Sequence, residues 1–140
     1  MAITFVPTPG MVLMCNFGPV PADIVPPGVM IGPLSVPPEM TKNRFVVVLT
    51  PGKKTYGTCT VVPLSTVAPV PQENFHHCFL AGTYPFLNGA AHSWVKGDMV
   101  TTVSFARLDR VLVGGKWSSP SISSADFAIV KGCVRNALVL

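Results

Sequence analysis

Residues 43–51 of the 140-residue chain read NRFVVVLTP and carry its strongest strand signal. Three valines and a leucine follow Phe45 without a polar interruption, which is typical of a β-strand buried on both faces. Pro51-Gly52 ends the run, because proline cannot donate to a sheet ladder and glycine favours turns. We therefore predict that the middle of the chain forms an interior strand of a sheet.

Shorter strand-like runs lie on both sides of this central strand. Upstream, PGMVLMCNFGP (residues 9–19) is apolar and bounded by turn residues, which predicts a first strand. Strand-like composition recurs downstream at residues 58–62, 75–80, 93–103 and 107–113. Pro63 is expected to end one of these runs, Gly97 to bend another, and Asn88-Gly89 to form a tight turn. Many short strands in succession indicate a mainly β fold.

The C-terminal end alone has a helical pattern. Ser123 and Asp126 resemble a capping box in which Asp replaces the usual Glu. Apolar residues follow at helical spacing, namely Phe127, Val130, Val134 and Leu138. We expect a helix over residues 123–138 whose apolar stripe packs on the sheet.

A proline-rich segment separates the first two strands. Residues 18–41 hold seven prolines and only two charged residues, which predicts a long irregular loop rather than a regular element. No change in composition along the chain suggests a boundary, so residues 1–140 are predicted to be one domain.

The composition predicts a shared apolar surface. Hydrophobic residues make up 49% of the chain and charged residues only 11%, below the average share of about 25%. A homo-oligomer or an obligate partner would cover such a surface, and a poorly soluble monomer is the alternative. The formal net charge of +4 is compatible with a polyanionic ligand but does not require one.

Targeting and metal signals are not found in the sequence. The N-terminus has no basic region followed by an apolar one, and no apolar run approaches the roughly 18 residues of a membrane span, so a cytoplasmic protein without membrane contact is expected. The four cysteines are widely separated without a C-x-x-C pair, which favours reduced, mostly buried thiols. No cofactor is expected.

Signals of three other enzyme classes were considered, and the sequence supports none of them. Gly52-Lys53-Lys54-Thr55 lacks the upstream glycine of a phosphate-binding loop, since Val47 stands there. His76 and His77 are neighbours on a predicted strand and point to opposite faces, which disfavours a metal site with Cys78. No G-x-S-x-G elbow supports a serine nucleophile.

Four segments in order form the most specific pattern of the chain. They are PGMVLMCNFGP (9–19), NRFVVVLTP (43–51), VVPLST (61–66) and WVKGDMV (94–100), followed by the capped helix. Together they resemble the PemK/MazF (Kid/CcdB-like) toxins of type II toxin–antitoxin systems. The resemblance implies a small SH3-like/CcdB-type β-barrel with a C-terminal α-helix, a homodimer, an antitoxin partner, and growth inhibition by cleavage of single-stranded RNA or mRNA.

The resemblance also implies the site residues of a metal-independent endoribonuclease. Arg44 matches the arginine that contacts the phosphate, and a guanidinium suits two phosphate oxygens at once. Asp98 matches the aspartate that in some relatives is the base for the ribose 2′-OH. Lys96 stands two residues earlier on the same strand face, where a relative's arginine is the acid for the leaving oxygen. Ser65 and Thr66 match hydroxyls that bond the scissile phosphate. The product would carry a cyclic phosphate.

Each of these residues also has an ordinary structural interpretation. Arg44 fits a surface arginine at a strand end, and Lys96 and Asp98 fit a surface pair. Ser65 and Thr66 fit hydroxyls that satisfy the local backbone in a turn. Phe17, Phe45 and Trp94 are candidates for stacking on RNA bases, but aromatic residues of this kind are more often part of a core.

A binding module on the same fold is the alternative function. Phe45 stands where the family has a proline after the arginine, and the long apolar loop is unusual. A member without catalysis that binds protein or nucleic acid, or an inhibitor that acts as gyrase poisons of this fold do, would fit these departures.

Overall fold

The computed structural model describes residues 2–18, 43–51, 57–87 and 89–140. The predicted proline-rich loop after Gly18, and the Asn88 half of the predicted Asn88-Gly89 turn, lie outside the described residues.

Short β-strands followed by a single α-helix make up the described part of the chain. The strands are β1 (Val12–Asn16), β2 (Asn43–Val48), β3 (Thr58–Ser65), β4 (His76–Phe79), β5 (Ser93–Lys96), β6 (Thr101–Ser104), β7 (Leu108–Asp109), β8 (Val111–Val113) and β9 (Lys116–Ser118). The helix α1 spans Ser124–Leu138, and 3-10 turns occupy Gly97–Met99 and Phe105–Arg107. The mainly β class with a C-terminal helix is confirmed. No helix in these ranges is both long and apolar enough to span a membrane.

Seven strands form one antiparallel sheet in the order β4-β5-β3-β2-β1-β7, with β6 also paired to β3. Strands β8 and β9 form a separate hairpin, so the predicted run 107–113 is divided between two sheets. In the described ranges β4 and β7 do not pair with each other, and the sheet is therefore not closed into a complete barrel.

The central strand β2 is interior, as its sequence predicts. It pairs with β1 on one side and with β3 on the other, and Val46, Val47 and Val48 are all fully buried. Because side chains alternate along a strand, Val47 packs into the apolar cluster that includes Val130 of α1. Val46 and Val48 pack into a second cluster on the opposite face.

The segment 93–103 is two strands rather than the predicted single bent strand. Both β5 and β6 pair with the same edge of β3, but the 3-10 turn Gly97–Met99 separates them. From the pair Leu64↔Val95 to the pair Val61↔Thr101, β3 advances three residues and the opposite segment six. The prediction that Gly97 bends the chain was right, and the continuous strand was wrong because the turn inserts extra residues.

Strand β3 also runs on through Pro63 to Ser65, although the sequence predicted an end at the proline. Pro63 pairs with Val46, and its other neighbour is the interrupted stretch between β5 and β6. A sheet tolerates proline at such an interruption because no ladder donor is needed there. Strand β3 therefore ends two residues after the proline, at Ser65.

Helix α1 begins as predicted and differs in its apolar face. The Ser123 side chain accepts a hydrogen bond from the Asp126 N–H at 3.1 Å, which confirms the N-cap. Val130 and Cys133 are the buried members of the face, while Leu138 is 52% exposed. The predicted stripe was thus wrong at Leu138, because the last turn of the helix extends beyond the core.

Candidate active site

Polar side chains from three neighbouring strands share one face of the sheet. Val46 of β2 and Pro63 of β3 are register partners, and Arg44 and Ser65 each lie two residues away along their strands. Alternation therefore places Arg44 and Ser65 on the same face. Ser65 is in turn the register partner of Trp94 in β5.

Arg44, Ser65 and Lys96 line one cavity of about 230 Å³. Its apolar walls include Pro63, Val67 and Met99. Two cationic side chains and a hydroxyl thus meet in a small, mostly apolar recess, where charge is screened less than at an open surface. Such a recess suits an anion with several oxygen atoms, such as a phosphate group.

Burial distinguishes the residues of this cavity. Arg44 is half-buried with its Nε atom inside the protein, so it is not an exposed surface arginine. Ser65 is 9% exposed, and its Oγ accepts a hydrogen bond from the Val67 N–H at 3.1 Å. That bond is the turn role expected as the alternative, and it leaves the hydroxyl hydrogen to donate. Thr66 is exposed and does not line the cavity.

Asp98 does not share a strand face with Lys96, which corrects the sequence prediction. Lys96 ends β5, whereas Asp98 lies in the 3-10 turn that follows. The Asp98 side chain is 47% exposed and its Oδ1 lies 3.9 Å from Nε2 of His76. Met99, the next residue, lines the cavity, so the turn borders the recess although Asp98 itself is outside it.

The three aromatic residues proposed for base stacking have different surroundings. Phe17 is fully buried in the second apolar cluster, so the prediction that it stacks on RNA is wrong. Phe45 projects to the face opposite Arg44 and lines a different cavity of about 650 Å³. Trp94 is half-buried and is the register partner of Ser65, which lines the cationic recess.

The larger cavity holds features that the sequence did not suggest. Trp117 of the β8–β9 hairpin and Phe45 line it together with Arg107 and Arg110. The Arg107 Nη1 donates hydrogen bonds of 2.8 Å to the backbone carbonyls of Asn16 and Gly18, which ties it to the end of β1.

His76 is the residue near the recess that sequence reasoning missed. It was considered only as a metal ligand, and its ring instead approaches Asp98, while His77 points to the other face and packs edge-to-face on Phe79 at 5.2 Å. The opposite directions of the two histidines were predicted correctly. In the described ranges no three His, Cys, Asp or Glu residues are grouped closely enough to hold a metal ion. The position of His76 near the recess follows only from the cross-strand pairing of His76 with Lys96.

Comparison with known proteins identifies the family. A profile of the PemK-like, MazF-like toxins of type II toxin–antitoxin systems matches residues 9–138. An uncharacterised Escherichia coli K12 protein, YifN, is 38% identical over 122 residues, which cover 79% of this chain and 76% of that protein. The chain therefore belongs to this toxin family, as the resemblance of its four segments predicted.

Solved structures agree on the fold. MazF from Deinococcus radiodurans (Form-I) has a TM-score of 0.62 at 17% identity, covering 97% of this chain and 99% of that one. An endoribonuclease from a mycobacterial species, in complex with its cognate antitoxin, has a TM-score of 0.55 at 14% identity and covers 96% of each chain. MazE-MazF (Form-II) from Deinococcus radiodurans has a TM-score of 0.59 at 17% identity, again covering 96% of each chain.

Proposed function

We propose that this chain is an endoribonuclease toxin that cleaves single-stranded RNA by metal-independent acid–base catalysis. Its membership of the MazF-like family supports the class of reaction. The observation that carries the proposal is the recess in which Arg44, Ser65 and Lys96, each from a different strand, meet. These are residues that the family resemblance had selected from the sequence alone.

The proposed reaction is an attack of the ribose 2′-oxygen on the adjacent phosphate. Asp98 accepts the 2′-OH proton as the oxygen bonds to phosphorus, and the bond from phosphorus to the 5′-oxygen breaks. Arg44 neutralises the charge of the phosphorane, and Ser65 donates a hydrogen bond to a phosphate oxygen.

The leaving 5′-oxygen takes a proton from Lys96 or from water, and the product keeps a 2′,3′-cyclic phosphate. Lys96 acts either as this acid or as a fixed charge beside the leaving oxygen. Asp98 borders the recess rather than lining it, so the ribose would lie between the 3-10 turn and the cavity.

Cleavage of a mixed-sequence single-stranded RNA in EDTA tests the proposal. The wild-type chain is compared with Arg44→Ala and Asp98→Ala, and the product ends are mapped. We expect wild-type cuts that leave cyclic phosphates, and a loss of rate of about 100-fold or more in each variant, as for removal of one charge-stabilising group in other enzymes. Arg135→Ala, at an exposed arginine of α1 that lines neither this cavity nor the larger one, is the matched control and should cleave normally.

A binding module remains the second candidate function, and the 650 Å³ cavity favours it. Phe45 and Trp117 give that cavity an aromatic lining away from Arg44, which suits a protein or nucleic-acid partner. Folded wild-type protein that cuts no RNA at high concentration would favour this function over the nuclease.

We also propose an antitoxin and a second copy of the chain as partners. Two of the similar solved structures are complexes of toxin and antitoxin, which supports the first. The apolar composition supports the second, because a low charge content leaves surface that a partner would cover.

A further inference from the structure

His76 has no part in the proposed chemistry, yet its ring is held in place on two sides. The Glu73 backbone N–H donates to Nδ1 at 3.0 Å, and the His76 N–H donates back to the Glu73 carbonyl at 3.1 Å. The Phe75 ring lies against the imidazole with a centroid distance of 4.5 Å. With its side chain only 8% exposed, His76 has a defined orientation.

This orientation sets the position of the ring hydrogen. Because Nδ1 accepts the Glu73 hydrogen bond, a neutral His76 carries its hydrogen on Nε2. Nε2 is the atom that lies 3.9 Å from Asp98 Oδ1. This separation exceeds a hydrogen bond, but catalytic contacts are often long without substrate and shorten when it binds.

The backbone holds the two residues next to each other. Gly97, one residue before Asp98, donates its N–H to the carbonyl of Phe75, one residue before His76, at 2.9 Å. Gly97 also packs against the Cys133 backbone so closely that a Cβ there would lie 2.8 Å from it. The contact between His76 and Asp98 is therefore built on two anchored backbones rather than on two mobile side chains.

We propose that His76 is a positioning residue for Asp98: its Nε2–H orients the carboxylate that accepts the 2′-OH proton. This role rests on the proposed nuclease function, in which Asp98 is the base. It gives a defined orientation to the carboxylate of an acidic residue that is nearly half exposed at the border of the recess.

Two conservative variants separate positioning from structure. The amide of His76→Gln reaches the place of Nε2 and can still donate towards Asp98. The amide of His76→Asn reaches the place of Nδ1, so it can still accept from Glu73 but cannot reach Asp98. We expect His76→Asn to lower kcat by about 10- to 100-fold with KM unchanged, because misplacement of a reacting group by about 1 Å can cost that much. His76→Gln should keep most of the wild-type kcat.

His77→Asn, on the opposite face of β4, is the matched control, and thermal unfolding of every variant shows whether it is folded. In the wild-type protein a long-range proton–nitrogen NMR spectrum should show the hydrogen of His76 on Nε2.

The outcomes are distinct. Cleavage by wild type with normal kcat in His76→Asn overturns the positioning role alone, as does a hydrogen found on Nδ1. If His76→Gln loses kcat and His76→Asn retains it, the role of His76 is to hold the turn at Glu73. That result also overturns the positioning role. A wild-type chain that cuts no RNA overturns the nuclease function, and the role of His76 falls with it.

Discussion

Gly97 begins the 3-10 turn after β5 and packs directly against the backbone of α1 and of Phe75. A Cβ on this glycine would lie 2.8 Å from the carbonyl carbon and oxygen of Cys133 and 2.8 Å from the Phe75 oxygen. All three are backbone atoms, which cannot move aside as a flexible side chain would. The 3-10 turn that carries Asp98 therefore depends on a residue without a side chain.

We predict that Gly97→Ala lowers the free energy of unfolding by about 3 kcal/mol or more, at the upper end of overpacking costs. Gly132→Ala is the control, because nothing lies within 4 Å of a Cβ there and alanine favours a helix by about 1 kcal/mol. Urea unfolding of both variants measures the difference. Equal stabilities would contradict the close packing at Gly97.

Cys15 and Cys59 are buried thiols with altered acidity. Removal from water raises the pKa of Cys15 from 9.0 to about 12, and burial raises that of Cys59 from 9.0 to about 11. Cys133 is also buried and Cys78 is half-buried, which confirms the sequence prediction that the thiols are mostly buried. Neither Cys15 nor Cys59 is suited to nucleophilic chemistry, because the thiolate is the reactive form.

These pKa values predict a loss of stability at alkaline pH. Above pH 9 the unfolded thiols lose protons that the folded ones keep, so the unfolded state is favoured increasingly up to pH 11 or 12. Each thiol contributes a slope of at most about 1.4 kcal/mol per pH unit. Unfolding of wild type and Cys15→Ala in urea, with reductant, should show a shallower decline in the variant between pH 9 and 11. An equal decline of stability with pH in the two proteins would show that the buried Cys15 thiol does not cause the alkaline loss of stability.

At the scale of elements, the start of α1 is joined to the loop after β4. The Tyr84 hydroxyl accepts from the Ser123 N–H at 3.0 Å and donates to the Asp126 carboxylate. Asp126 therefore bonds to Tyr84, where a capping box would bond back to Ser123. The N-terminus of the helix is thus fixed by its own cap and by a distant tyrosine.

We predict that Ser123→Ala destabilises the protein by about 1 kcal/mol, the usual value of an N-cap. Ser124→Ala, at the exposed neighbouring serine inside the helix, should change the free energy of unfolding by only a few tenths of about 1 kcal/mol. Thermal unfolding of the two variants compares them directly. A larger loss for Ser124→Ala would show that the cap lies elsewhere.

At the scale of the whole molecule, large apolar side chains remain exposed. Leu112 and Trp117 are register partners in the β8–β9 hairpin and are 56% and 60% exposed. Both side chains line the 650 Å³ cavity, and exposed apolar surface beside a cavity is typical of a site that binds a partner.

We predict a homodimer in solution. Sedimentation equilibrium should give twice the chain mass of 14.8 kDa and a mass that falls on dilution. An unrelated monomer of similar mass is the control for non-ideality. The mass of a single chain at every concentration would contradict the dimer. It would also show that the low charge content does not reflect a surface shared between two copies.

Local sequence patterns were sufficient to predict features that depend on a single strand or a single helix end. The burial of Val46 to Val48 on both faces and the Ser123 cap were read correctly, because alternation and capping depend on neighbours in sequence. The break after Lys96 was not predicted, because it depends on the distant Cys133 and Phe75 backbones. Leu138 was misassigned because helical spacing does not show where the sheet ends.

Periodicity along short segments was enough to predict the mainly β class, and four motifs in order were enough to predict the toxin family. The resemblance to that family, rather than periodicity, selected Arg44, Ser65 and Lys96 as candidate site residues. Tertiary structure alone decided that the three residues share a recess, that Phe17 is core, and that Asp98 turns towards His76. Each of these depends on which strands pair and in which register, and pairing joins residues far apart in the chain through contacts that no local pattern encodes.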